Sequence, residues 1–331
     1  MHGRIVDIRH DSQALHGNPL GDPTERSVLA YLPPGHGEGA ARFPLVVILP
    51  GFAANHRSIV GWDPFQPNTV ERFDAQLARG ETKPAILLLP DCTNRWGGSQ
   101  FLDSSATGPY QRYLAEELLP FADATFRTVP EREARAIVGR SSGGFGALRF
   151  AMDRPDLVAA VGSHAGDADF EVSLRPMLTA AATAIAKAGG LEAFAARVVE
   201  GGPRGDAEFS ALFLLAASAA YAPEAAGPLP RCALPVDLDT GALRPEVWAR
   251  FLAQDPCTLT EARVAALRQM RTIFLDAGDA DEHGLHFAAR RLHRRFTAEG
   301  LPSHHEEFEG GHRGTSHRYA RSLPLLIDAL C

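Results

Sequence analysis

The chain has 331 residues, of which 45% are hydrophobic and 22% charged, with a formal net charge of −7. That length and balance suit one large globular α/β domain carrying an insertion. The acidic balance argues against nucleic acid or an anionic membrane as partner, since both reward clustered Lys and Arg.

The N-terminal stretch "MHGRIVDIRHDSQALHG" lacks the uninterrupted apolar run of a signal peptide. "RIVDIRH" and "RSVLAYLPP" then alternate or end on prolines, as edge or hairpin strands do. Continuous aliphatic runs follow at "PLVVILPG" (44–51), "AILLLPD" (85–91) and "RAIVGRS" (135–141), which predicts strands buried on both faces of a parallel sheet. Helical spacing lies between them: "YQRYLAEELLPFADATF" (110–126) carries apolar residues at intervals of three and four, and "GGFGALRFAMDRP" reads as a helix ended by Pro155. Further strands are expected in "LVAAVGSH" (157–164), "RTIFLDAG" (271–278) and "SHHEEFEGGH" (303–312).

Strands alternating with helices predict an α/β fold with a doubly wound, mostly parallel sheet. Residues 167–265 are Ala-rich, with Pro-rich turns and no strong strand, and read as a helical cap insertion between core segments 1–166 and 266–331. Within it, "FSALFLLAASAAYA" (209–222) is too short for the ~20 apolar residues of a membrane span and is expected as a buried helix. "RRLHRRF" (290–296) reads as a solvated helix face. Cys92, Cys232, Cys257 and Cys331 form no CxxC pair, so free thiols are expected, with a Cys232–Cys257 disulfide as the alternative. These features favour the cytoplasm, and the oligomeric state stays open, a homodimer included.

Four glycines in the eight residues "GRSSGGFG" (139–146) sit where the strand "AIV" gives way to a helix. Gly139-Arg140-Ser141-Ser142-Gly143 is G-x-S-x-G in the strand–turn–helix setting that this motif requires. A serine on so tight a turn projects its hydroxyl from the sheet, and the following helix N-terminus offers N–H groups to a developing oxyanion. The bland alternative is a glycine-rich turn that merely lets helix and sheet pack closely.

A serine hydroxyl needs a histidine to take its proton and a carboxylate to orient that histidine. "AGDADEHGL" after the strand "TIFLD" offers Asp276, Asp279, Asp281 and Glu282. Asp276 belongs to the strand end and is expected to serve the turn. Asp281 is favoured, with Asp279 second. Among thirteen histidines, His312 in "FEGGHRGTSHRY" follows the last strand and a flexible Gly-Gly, whereas His317 falls on a helix and His304 and His305 within the strand. The oxyanion donors are expected to be the N–H groups of Phe52 and Ser142, with Ala53 as the fallback and Gly51 letting the loop approach.

At these residues the chain resembles the α/β-hydrolases, and among them the esterase branch that includes esterase D and the enterochelin-esterase-like enzymes. "ILPGF", "LLLPD", "GPYQRYLAEELLPFADATFR", "IVGRSSGGFGAL", "LDAGDADE" and "EGGH" carry the resemblance, over about half the chain. It implies a nucleophile at Ser141, an acid at Asp281 and a base at His312. Where S-formylglutathione hydrolases carry a Cys-containing loop, this chain reads "GFAANHRS", which argues against that substrate.

Trp96 in "DCTNRWGGSQFLDSS" (91–105) and Ala53 are further candidates for the substrate pocket, with structural packing an equal reading for Trp96. His164 at another strand end either touches substrate or makes an ordinary internal hydrogen bond. "DADEHGLH" gathers metal-binding residue types but has no HExxH motif or partner cluster, so neither metal nor cofactor is expected. The expectation is a serine carboxylesterase acting on a small-molecule ester. Peptide cleavage or acyl transfer by the same residues is the alternative, and a non-catalytic binding scaffold stands further off because Ser, Asp and His are all present.

Overall fold

The continuous aliphatic runs form the centre of an eight-stranded sheet in a computed structural model that describes residues 1–224 and 226–330. Its strands are β1 (Arg4–Asp11), β2 (Glu25–Leu32), β3 (Leu45–Leu49), β4 (Ile86–Pro90), β5 (Arg135–Arg140), β6 (Ala160–His164), β7 (Thr272–Gly278) and β8 (Ser303–Phe308). Their order is β1-β2-β4-β3-β5-β6-β7-β8. β1–β2 and β2–β4 pair antiparallel, and every later pairing is parallel. The edge strand β1 alternates between exposed and half-buried residues, whereas every residue of β3 and β4 is buried.

Strand side chains alternate in direction, so each central strand feeds two cores. Val47, Leu49, Leu88, Ile137 and Ile273 face the helices Ser142–Asp153, Pro256–Leu267 and Leu285–Ala298. Val46, Ile48, Leu87, Leu89 and Val138 face the helices Thr69–Ala78 and Tyr319–Leu330. The stretch 110–125 is helical as its spacing predicts, with a π-helical segment at Tyr113–Leu118.

The segment 167–265 is helical, with only isolated bridges Pro223–Cys232 and Val236–Leu243 among its described residues. The helices Leu178–Lys187, Leu191–Gly201, Gly205–Tyr221 and Pro245–Leu252 build a third apolar cluster, and Gly205–Tyr221 is buried over most of its length from Ala211 onward. The last helix of the segment, Pro256–Leu267, packs instead on Ser142–Asp153 and gives Cys257 and Leu267 to the sheet core. The packing therefore divides this segment before its last helix, short of the expected boundary at 265.

Cys92, Cys232 and Cys257 are free and buried. The alternative Cys232–Cys257 disulfide is thereby corrected, because Cys232 lies in the cap cluster and Cys257 in the sheet core. Cys331 lies outside the described residues. The helix Leu285–Ala298 exposes its arginines as expected, with Arg290 paired to Glu307 and Arg291 to Asp169, each at 2.5 Å. Among the described residues, no helix is long and apolar enough to cross a membrane.

Candidate active site

Parallel strands deliver their loops to one end of the sheet, and the residues singled out from the sequence gather there. Ser141 sits between β5 and the helix Ser142–Asp153 at φ 55°, ψ −125°. This region is unfavourable for any residue with a Cβ and typically costs of order 1–3 kcal/mol. The surroundings impose it: Ser141 N–H donates to His164 O at 2.8 Å, and Ser141 O accepts from Phe145 N–H at 3.0 Å. The flanking glycines interlock. A Cβ on Gly139 would stand 2.3 Å from the Gly143 carbonyl, and one on Gly143 would stand 2.2 Å from Leu49 O.

Ser141 Oγ lies 3.1 Å from His312 Nε2, and His312 Nδ1 lies 2.8 Å from Asp281 Oδ2. With Nδ1 protonated, His312 donates to Asp281 and leaves Nε2 free to accept from the serine hydroxyl. Burial acts to raise the Asp281 carboxyl, but the hydrogen bond and charge of His312 and the N–H groups of His283 and Leu285 outweigh it and hold it below the usual range. Asp281 is thus kept ionised at the imidazole. The other acids of this loop are occupied elsewhere. Asp279 Oδ1 accepts from Gly310 N–H at 3.1 Å, and Glu282 Oε2 accepts from His312 N–H at 2.8 Å.

Asp276 does not serve the turn, and that expectation is corrected. It is fully buried on β7 between His164 Nδ1 at 2.7 Å and Arg318 Nε at 2.8 Å. Burial alone would raise its carboxyl, but these two partners hold it below the usual range. His164 is also removed from the candidate pocket. Its ring is 1% exposed, with Nδ1 on Asp276 and Nε2 2.8 Å from Ser322 Oγ, because strand alternation turns it toward the helix Tyr319–Leu330. Only its carbonyl meets Ser141. Trp96 is 2% exposed within the cap cluster, its turn held by Asn94 Oδ1 accepting from Trp96 N–H, so of the two readings packing replaces the pocket role.

Around the expected oxyanion donors, a Cβ on Gly51 would stand 3.4 Å from Ser141 Cβ, so this loop runs against Ser141. Ala53 N–H is engaged with Gly97 O at 2.9 Å and Ala54 N–H with Gly51 O at 3.2 Å, whereas Phe52 N–H has no partner among the described residues. Ser142 opens its helix, where an N–H has no intrahelical acceptor. Ala53 itself is exposed.

The family model described as "Putative esterase" matches residues 22–324. The chain belongs to that esterase family. Two Mycobacterium tuberculosis proteins, Esterase Rv1288 and Esterase MT1326, are each 39% identical over 88 residues, a match that takes in 26% of this chain. It spans only 19% of the length of those curated relatives. Among solved structures, a ferulic acid esterase aligns with TM-score 0.62 and 17% identity over 99% of both chains. An S-formylglutathione hydrolase from Agrobacterium tumefaciens aligns with TM-score 0.58 and 17% identity, over 100% of this chain and 96% of its own. The fold of the chain is therefore the α/β-hydrolase fold.

Sequence reasoning missed several residues that shape the candidate site. Glu282 and Arg140 grip the main chain of His312, the first accepting from its N–H and the second donating to its carbonyl at 3.0 Å. Phe209 and Phe213 of the helix Gly205–Tyr221 meet Phe52 edge to face, with ring centroids 5.6 and 5.1 Å away. Their spacing of four residues was the available signal. Asp167, on the loop after β6, accepts from Ser142 Oγ at 3.2 Å and carried no signal among many aspartates.

Proposed function

We propose that this esterase hydrolyses carboxylic esters through an acyl-enzyme on Ser141. His312 accepts the serine proton as Oγ attacks the acyl carbon, Asp281 holds the imidazolium, and the N–H groups of Phe52 and Ser142 take the oxyanion. His312 then protonates the leaving alcohol, the ester C–O bond breaks, and water activated by the same imidazole releases the acid. The observation that carries this reading is the relay from Ser141 Oγ to His312 at 3.1 Å and from His312 to Asp281 at 2.8 Å, with the serine held at φ 55°. The phenyl wall of Phe52, Phe209 and Phe213 beside the proposed oxyanion donors favours an apolar group near the ester carbonyl.

The test compares the wild type with Ser141→Ala, using a fluorophosphonate probe and p-nitrophenyl esters of increasing acyl length. The wild type is expected to label and turn over, and the variant to lose labelling and at least about three orders of magnitude in kcat. A folded wild type that neither labels nor hydrolyses any of the esters would sink the reading. Labelling that survives in Ser141→Ala would move the nucleophile elsewhere.

A further inference from the structure

Six aspartates are buried among the described residues: Asp74, Asp167, Asp169, Asp255, Asp276 and Asp281. Five of them are well satisfied. Asp74 accepts from His2 and Gly3 N–H and from Tyr31 O–H; Asp255 from three backbone N–H groups and Thr258 O–H. Asp169 pairs with Arg291 and accepts from the Cys257 thiol, and Asp276 and Asp281 have the partners described above. Asp167 is the exception. It is 5% exposed, and among the described residues its single hydrogen bond is the one from Ser142 Oγ and no Arg or Lys pairs with it. Its second oxygen, Oδ1, accepts no hydrogen bond among the described residues, yet it is not one of the sealed, unpartnered atoms of the interior.

A buried carboxyl left short of donors is costly, and proteins keep such groups chiefly where something else completes them. The position of Asp167 says what that is. It lies at the C-terminal end of the parallel strands, bonded to the residue next to Ser141. Ala165 and Asp169, two residues to either side, both take left-handed angles, at φ 43° and 47°. Burial pushes the carboxyl up to about 6, with Asp281 adding to the rise and the charge of His312 and the Ser142 hydroxyl opposing it.

We propose that Asp167 is a specificity-determining residue that receives a hydrogen-bond donor of the substrate. The preferred ester then carries a hydroxyl or a protonated amine a few atoms from the ester carbonyl. The donor fills Oδ1, so binding such a substrate relieves a cost already present in the free enzyme. This inference rests on the esterase reading and adds a substrate class to it.

The experiment measures kcat/KM for ethyl butyrate and for matched esters carrying a donor. Ethyl 3-hydroxybutyrate and ethyl 3-aminobutyrate place it on the acyl side, and 2-hydroxyethyl butyrate on the alcohol side. At pH 7.5 at least one donor ester is expected to exceed ethyl butyrate about tenfold or more, the size of a hydrogen bond to a charged group. In Asp167→Ala that ratio falls to near one. In Asp167→Asn, which keeps an acceptor oxygen but not the charge, preference for the amine is lost while preference for a hydroxyl is reduced. A wild type that labels with fluorophosphonate and hydrolyses ethyl butyrate but favours no donor ester overturns the inference and leaves the esterase reading intact. A donor preference undiminished in both variants overturns it as well. If the wild type neither labels nor hydrolyses, the esterase reading fails and the inference goes with it.

Discussion

At Asp167 the same side chain that is proposed to read the substrate is expected to couple folding to pH. Burial raises its carboxyl from the ordinary 3.8 to about 6, so the folded chain holds this proton more tightly than the unfolded one. The sign follows from linkage. Below about pH 4 the group is protonated in both states and has no effect. Between about 4 and 6 the unfolded chain ionises first and stability falls, and above 6 the full loss, of order 3 kcal/mol, is present. Asp276 and Asp281, held below the usual range, act in the opposite sense, contributing stability above about pH 4 that is lost on acidification. The groups facing Asp167 are His312 and Asp281 on the site loops and Ser142 at the start of its helix, with Tyr221 of the cap near enough to feel its charge. Comparing the wild type with Asp167→Asn cancels the other carboxylates. Urea unfolding is expected to show the variant gaining up to about 3 kcal/mol on the wild type between pH 4 and pH 8. A difference that stays constant with pH would mean that Asp167 does not titrate in this range.

At the scale of the element, the strand–turn–helix unit around Ser141 depends on two backbones passing where no Cβ fits. Gly143→Ala would drive a methyl group to 2.2 Å from Leu49 O and 2.6 Å from Pro50 O, both backbone atoms of the neighbouring strand and its exit. Neither can swing aside, so the helix must lift from the sheet. The expected loss is about 3 kcal/mol in thermal or urea unfolding, together with the fluorophosphonate labelling of Ser141. Gly201→Ala, at the end of a cap helix with open space at the Cβ position, is the control and is expected to be neutral or stabilising by up to about 1 kcal/mol. Equal losses in the two variants would remove the steric argument. The G-x-S-x-G unit was legible because its chemistry is local: glycine spacing, strand before and helix after all lie between Arg135 and Asp153. His164 and Trp96, each left between two readings by the sequence, are decided by contacts of the opposite kind. Which face of β6 a strand-end histidine takes depends on register against β7, where His164 lies beside Asp276, some 110 residues away in sequence. Whether Trp96 lines a cleft or fills a core depends on cap helices that begin about 80 residues after it.

For the whole molecule, the readable part was the sheet, since buried parallel strands announce themselves as unbroken aliphatic runs. The attachment of the cap was not readable. Its cluster takes in Leu20, Trp96, Leu102, Ala106 and Phe145 from core loops and the helix behind Ser141, so cap and core share side chains instead of meeting at a hinge. Its helices also cannot bury their apolar faces against one another alone; Phe145, Phe170 and Tyr221 pack as one aromatic group across the junction, with centroids 5.4 to 6.0 Å apart. Elements that share a core in this way are expected to unfold together. The three tryptophans make this measurable. Trp62 is 82% exposed, while Trp96 and Trp248 are buried in the cap cluster and none lies in the sheet core. In a Trp62→Phe variant, tryptophan fluorescence therefore reports the cap, and far-UV circular dichroism reports the helices and strands of the whole chain. The two urea transitions are expected to coincide in midpoint and slope. A fluorescence transition at clearly lower urea would show a cap that melts first, and the shared cluster would then be too weak to hold Phe209 and Phe213 against Phe52 once the cap begins to open.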